Sequence, residues 1–109
     1  MRPLRIGLLF LAACSITPGS IGAVLAQSRD GRLVVREAPS GYPSASAGIA
    51  PGDEILLIDG RDVRRMSPEQ IHWALEGEVG STVRLTVLTH DRIERLALAR
   101  APLDKHANR

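Results

Sequence analysis

The sequence predicts a mainly β protein with two helices, folded as a partly open β-barrel or sandwich of five to six strands. Three observations predict it. Short apolar and β-branched runs recur between turn signals. Asp59-Gly60 separates two such runs, a strong short-range hairpin signal. Only one segment, opened by Ser67-Pro68-Glu69-Gln70, combines a helix start with apolar residues at helical spacing.

Taken in order, residues 20–27 form the first expected strand, an apolar run ending in a polar turn, Gln27 to Gly31. Residues 32–37 are its hairpin partner, and 38–43 a loop with two prolines. Residues 44–47 fit a single helical turn closed by Gly48. Pro51 presets φ for a tight turn, and Asp53 can hydrogen-bond nearby backbone. Residues 54–58 are too few for a helix and lie between turn signals, so they read as a buried strand. Residues 61–63 return across Asp59-Gly60, where Gly60 suits a positive φ.

In the helix, Ser67 can cap, Pro68 suits the first turn and Gln70 completes a capping box. Ile71, Ala74 and Leu75 share one face, and Gly77 is expected to end the helix. Residues 82–88 alternate, with Val83, Leu85 and Val87 on one side. Thr89-His90-Asp91 turns the chain, and 93–99 return with Leu96 and Leu98 alternating. With three aromatic residues in the chain, the core must be aliphatic; Ile55, Leu57 and Ile71 are expected in it. Trp73 is expected to pack at the domain edge.

The stretch from Ser44 to Gly60, with its small residues, Pro-Gly-Asp turn, apolar strand and Asp-Gly turn, resembles the PDZ domain family. It is most similar to the PDZ modules of bacterial carboxy-terminal processing peptidases. The resemblance extends over 18–103 and implies a PDZ-like fold that binds extended polypeptide C-termini or a protein partner. Ser20-Ile21-Gly22-Ala23 resembles the carboxylate-binding loop. The amides of Ile21, Gly22 and Ala23 would receive the terminal carboxylate, since consecutive N–H groups in one concavity form an anion site. The ligand would add as a strand beside Ala23, Val24, Leu25 and Ala26. Ile21, Ala23 and Leu25 would face its last side chain, Leu75 would close that pocket, and Pro68 and His72 would face the groove. A side chain at Gly22 would crowd the carboxylate. The alternative is a structural interaction module whose groove is not used, or a fragment of a processing peptidase.

Residues 1–5 are basic and 6–13 apolar, a pattern of a secretory signal and too short to span a bilayer. Leu11-Ala12-Ala13-Cys14 resembles a bacterial lipobox. It implies a signal peptide over 1–13, lipidation at Cys14, a tether over 14–17 and a membrane-anchored protein at the periplasmic face of the envelope. Cleavage after Ala26 would instead give a soluble periplasmic or secreted protein, and an uncleaved anchor is the third alternative. Residues 104–109 read as a polar tail.

Composition narrows the function classes. Setting aside Arg2 and Arg5 leaves 12 of the 14 basic residues against 12 acidic ones, interspersed. Nucleic-acid binding therefore has little support. The single cysteine gives neither an internal disulfide nor a metal cluster. No phosphate loop or nucleophile elbow is present, so neither a cofactor nor catalysis is expected. His90 and His106 are expected at the surface.

Overall fold

The computed structural model of the protein describes residues 18–103. The expected signal peptide, Cys14, the tether, His106 and the polar tail lie outside the described residues. The elements run β1 (Pro18–Gly19), β2 (Val24–Gln27), β3 (Leu33–Glu37), α1 (Pro43–Ser46), β4 (Glu54–Ile58) and β5 (Arg61–Asp62). After a 3₁₀ turn (Val63–Arg65) come α2 (Pro68–Leu75), β6 (Gly77–Glu78), β7 (Thr82–Thr89) and β8 (Arg92–Ala99). The fold class is the expected one: mostly β, two helices, and a sheet that does not close.

The main sheet is antiparallel in the order β2-β3-β4-β7-β8, with β5 paired to β4. Two hairpins have the turn chemistry their residues suggest. Asp59 and Gly60 both have positive φ, 50° and 82°, as a two-residue turn matched to strand twist requires. His90 and Asp91 do the same at 49° and 67°, and His90 is exposed. That turn sets β7 and β8 in continuous register from Thr82↔Ala99 to Thr89↔Arg92.

The core is aliphatic. Val83, Leu85 and Val87 point inward from β7, and Leu33 and Val35 from β3. Ile71 and Leu75 come down from α2, Ile49 from the loop after α1 and Val63 from the 3₁₀ turn. Leu57 is only half-buried, whereas Ile55 and Ile58 are fully buried. The cause is a bulge: β4 pairs Ile55 with Val87 and Leu57 with Thr86, so Leu56 is an extra residue. An inserted residue breaks the two-residue alternation and sends Ile58 to the face of Ile55.

The capping box of α2 forms as expected. The Gln70 N–H donates to Ser67 Oγ (3.1 Å), and the Ser67 N–H donates to Gln70 Oε1 (2.8 Å). The helix end differs from expectation. Glu76 is already extended, and Gly77 lies in β6 without a positive φ. Glycine is needed there because a Cβ would lie 2.9 Å from Cζ and Nε of Arg100, which crosses beneath it.

Trp73 also departs from expectation: it stands on the outer face of α2, 70% exposed. The expected first strand is split. Gly19 pairs with Gly77, Ser20 exchanges two backbone bonds with Ala101 (3.0 Å each), and the chain turns before β2 begins at Val24.

Candidate functional site

The split in the first strand creates the site. Between the Ser20–Ala101 bridge and Val24, the segment Ile21-Gly22-Ala23 is a loop fixed at both ends. Its middle is fixed from behind by α1. The Ser44 N–H (3.0 Å) and Oγ (2.8 Å) both donate to the Ile21 carbonyl, and Ser44 is fully buried. Burial of this hydroxyl is tolerable because it is hydrogen-bonded. The carbonyl of Ile21 is thereby consumed inside the protein. No turn or loop backbone bond between described residues uses the amides of Ile21, Gly22 or Ala23. Gly22 has φ +71°, which lets the loop reverse.

A groove with a cavity volume of 340 Å³ runs between this loop, β2 and α2. Ile21, Ala23 and Leu25 line one wall at strand alternation, with Ser20 beside them. Pro68, His72 and Leu75 line the helical wall. The structure thus gathers seven of the expected peptide-contacting residues around one cavity. Gly22 and Val24 do not line it. Val24 points outward and is 49% exposed, as its place one step off the alternation requires. A Cβ on Gly22 would lie 2.3 Å from Cβ of Tyr42. A side chain there would therefore strike Tyr42, not the groove as the sequence suggested.

Four further residues line the groove: Gln27, Ile71, Glu76 and Leu103. Gln27 continues the alternation 21, 23, 25, and its Nε2 donates to the Met66 carbonyl at 3.2 Å. Ile71 completes the helical face between Pro68 and Leu75. Glu76 sits four residues after His72, with 2.8 Å between its Oε2 and His72 Nε2. All three could have been found by extending periods already visible. Leu103 had no such signal, because its position depends on the return of the chain after β8.

Among the described residues β2 is an end strand of the main sheet. An end strand carries unpaired backbone N–H and C=O groups along its outer edge, here facing the groove. The site can therefore offer backbone bonds to an extended chain, an apolar pocket to alternate side chains, and amides to an anion. A second, shallower hollow of 410 Å³ lies between α1 and β8, lined mainly by small residues and no charged side chain. Among the described residues no group of three or more His, Cys, Asp or Glu is placed to hold a metal ion. No described helix is long and apolar enough to cross a membrane.

Comparison with known proteins agrees with this architecture. The PDZ domain family model matches residues 13–88. A carboxyl-terminal-processing protease of Picosynechococcus sp. is 47% identical over 47 residues, which are 43% of this chain and 11% of that protein. The magnetosome formation protease MamE of Paramagnetospirillum magneticum is 39% identical over 61 residues, 55% of this chain and 8% of that protein. The chain thus spans only a small part of these relatives.

Among solved structures, the photosystem II D1 C-terminal processing protease superposes with a TM-score of 0.74 at 25% identity, over 80% of this chain and 24% of that one. The PDZ domain of the carboxy-terminal protease from Vibrio cholerae, in complex with a peptide, superposes with a TM-score of 0.67 at 27% identity. That match covers 79% of this chain and 96% of that domain.

Proposed function

The chain belongs to the PDZ domain family, and from that premise we propose that it captures extended polypeptide C-termini by adding them as a strand to the free edge of β2. The observation that carries this reading is the fixed loop. The Ile21 carbonyl is taken up by Ser44, while the amides of Ile21, Gly22 and Ala23 make no loop bond to described backbone at the mouth of an apolar groove. Backbone amides in a concavity suit a carboxylate, and the edge of β2 supplies main-chain bonds that are independent of sequence. Ile21, Ala23, Leu25 and Leu75 would seat the terminal side chain, with Pro68 and His72 further along. The PDZ domain of the Vibrio cholerae carboxy-terminal protease, solved in complex with a peptide, supports peptide binding by this fold.

The proteases among the relatives point to a role beside proteolysis: a module that presents chain ends for processing, as a separate adaptor or as part of a longer enzyme. The lipobox-like segment ending at Cys14 supports placement at the bacterial envelope with a lipid anchor. The test is calorimetric titration of the purified protein with C-terminal peptides and their amidated forms. Loss of affinity on amidation supports carboxylate capture; equal affinity for acid and amide contradicts it.

A further inference from the structure

We propose that Leu103 sets the size of the terminal ligand side chain the groove admits, with Tyr42 as the positioning residue that holds it there. The proposal rests on the groove being a site for polypeptide C-termini. Leu103 belongs to the segment that leaves β8, yet it lines the groove together with Ser20, Ile21 and Leu75. Its placement has two causes. Two residues earlier, Ala101 is bridged to Ser20 at the start of the loop, so the exit segment must pass the loop end of the groove. The Leu103 carbonyl then accepts a hydrogen bond from the Tyr42 hydroxyl at 3.4 Å.

Tyr42 is also the residue that a Cβ on Gly22 would strike, so one side chain backs the loop and hydrogen-bonds the Leu103 segment. The strand wall is low at this point because residue 23 is alanine. A pocket with a small floor residue would accept a large terminal side chain if nothing else stood in it. Leu103 lines the same cavity and is 43% exposed, with apolar surface left to cover. A small or medium apolar terminal residue would pack against it and remove that surface from water. An aromatic one would collide with it.

The experiment measures affinities of the wild-type protein, Leu103→Ala and Tyr42→Phe for peptides differing only in a terminal Ala, Val, Leu or Phe. Thermal midpoints of all three proteins are recorded alongside. Wild type should prefer the smaller ends. Leu103→Ala should improve the Phe-ended peptide relative to the Ala-ended one by about tenfold, the scale at which a hydrophobic pocket discriminates by size. Tyr42→Phe should move the ratio the same way by less. An unchanged rank order in a folded Leu103→Ala variant overturns the proposal. So does a uniform gain for every peptide, which would make Leu103 a plug with no selectivity. If neither wild type nor variant binds any peptide, the peptide-site reading fails and the proposal falls with it.

Discussion

The Nε of Arg100 donates to the main-chain carbonyl of Leu75 at 2.8 Å, tying the last residue of the groove helix to the end of the sheet. The same guanidinium reaches the Ala74 carbonyl through Nη2 (3.0 Å), and Ser81 Oγ (3.0 Å) and the Thr82 carbonyl (3.2 Å) through Nη1. Arg100 is 9% exposed, and no described carboxylate forms an ion pair with it. Its charge is satisfied instead by carbonyls at a helix C-terminus, where orphan acceptors and the negative end of the dipole coincide. The planar fork of arginine suits four acceptors spread between the end of α2 and the entry to β7; a lysine ammonium does not.

Arg100→Met should therefore destabilise the protein by about 2–4 kcal/mol, since buried carbonyls lose charged donors without gaining others. Arg100→Lys should recover only part of the loss. Urea unfolding checks both; a Met variant as stable as wild type would show that these bonds add nothing net.

Gly77 and Arg100 should be energetically coupled. A Cβ at position 77 meets the pinned end of Arg100 at 2.9 Å, so Gly77→Ala must displace the guanidinium from its carbonyls. Contacting residues give non-additive effects in double-mutant cycles. Gly77→Ala should cost more in the wild-type background than beside Arg100→Met. Equal costs in the two backgrounds would mean that the backbone, not the arginine, resents the methyl group.

The core can be tested at the bulge. Ile55→Ala should cost about 2–5 kcal/mol, and Leu57→Ala clearly less, because only the first is fully buried. Equal losses in denaturant titrations would place Leu57 in the core after all.

That contrast shows how far the sequence could be read. The strands of the main sheet, both helices and the capping box are legible, since each rests on neighbouring residues: alternation, Asp59-Gly60, Ser67-Pro68-Glu69-Gln70; the short β1–β6 pair is not. The bulge at Leu56 is not, because it is defined by the register against β7, where Leu57 pairs with Thr86, 29 residues further along the chain. A local rule fits Gly77 as a helix stop; its actual constraint is Arg100, which only the folded chain brings near. In the groove, the strand and helix walls followed from periods of two and 3.6, while Leu103 and the Tyr42 contact behind Gly22 depend on tertiary return of the chain.

The hairpin turn before β3 should show a pH signature. The Ser28 hydroxyl and the Arg32 N–H both donate to Asp30, and these bonds hold its carboxyl below the usual range. A depressed folded-state pKa gives stability that is present above the unfolded value, about 3.9, and is lost as pH falls through the folded one. Asp30→Ala should thus lower the thermal midpoint at pH 7, and the gap to wild type should narrow in acid. A gap that stays constant from pH 7 to well below the folded pKa would assign the loss to the turn's shape, not to its charge.

Gly22 gives the last test, because it separates a loop built for binding from one that only completes the fold. Its φ of +71° already disfavours any side chain, and a methyl group would in addition run into Tyr42 at 2.3–2.6 Å. Gly22→Ala should shift the loop that carries the three amides, so peptide affinity should fall by tenfold or more on the scale of one lost charge-assisted bond, about 1.5–3 kcal/mol. Removing the obstacle should relieve one of the two causes. In Gly22→Ala combined with Tyr42→Ala, the clash is gone and only the backbone strain remains, so affinity should return in part. Calorimetric titration of the single and double variants, with thermal midpoints measured alongside, reads both. If a folded Gly22→Ala variant keeps full affinity, the ligand does not depend on this loop, and the partner surface lies elsewhere on the domain.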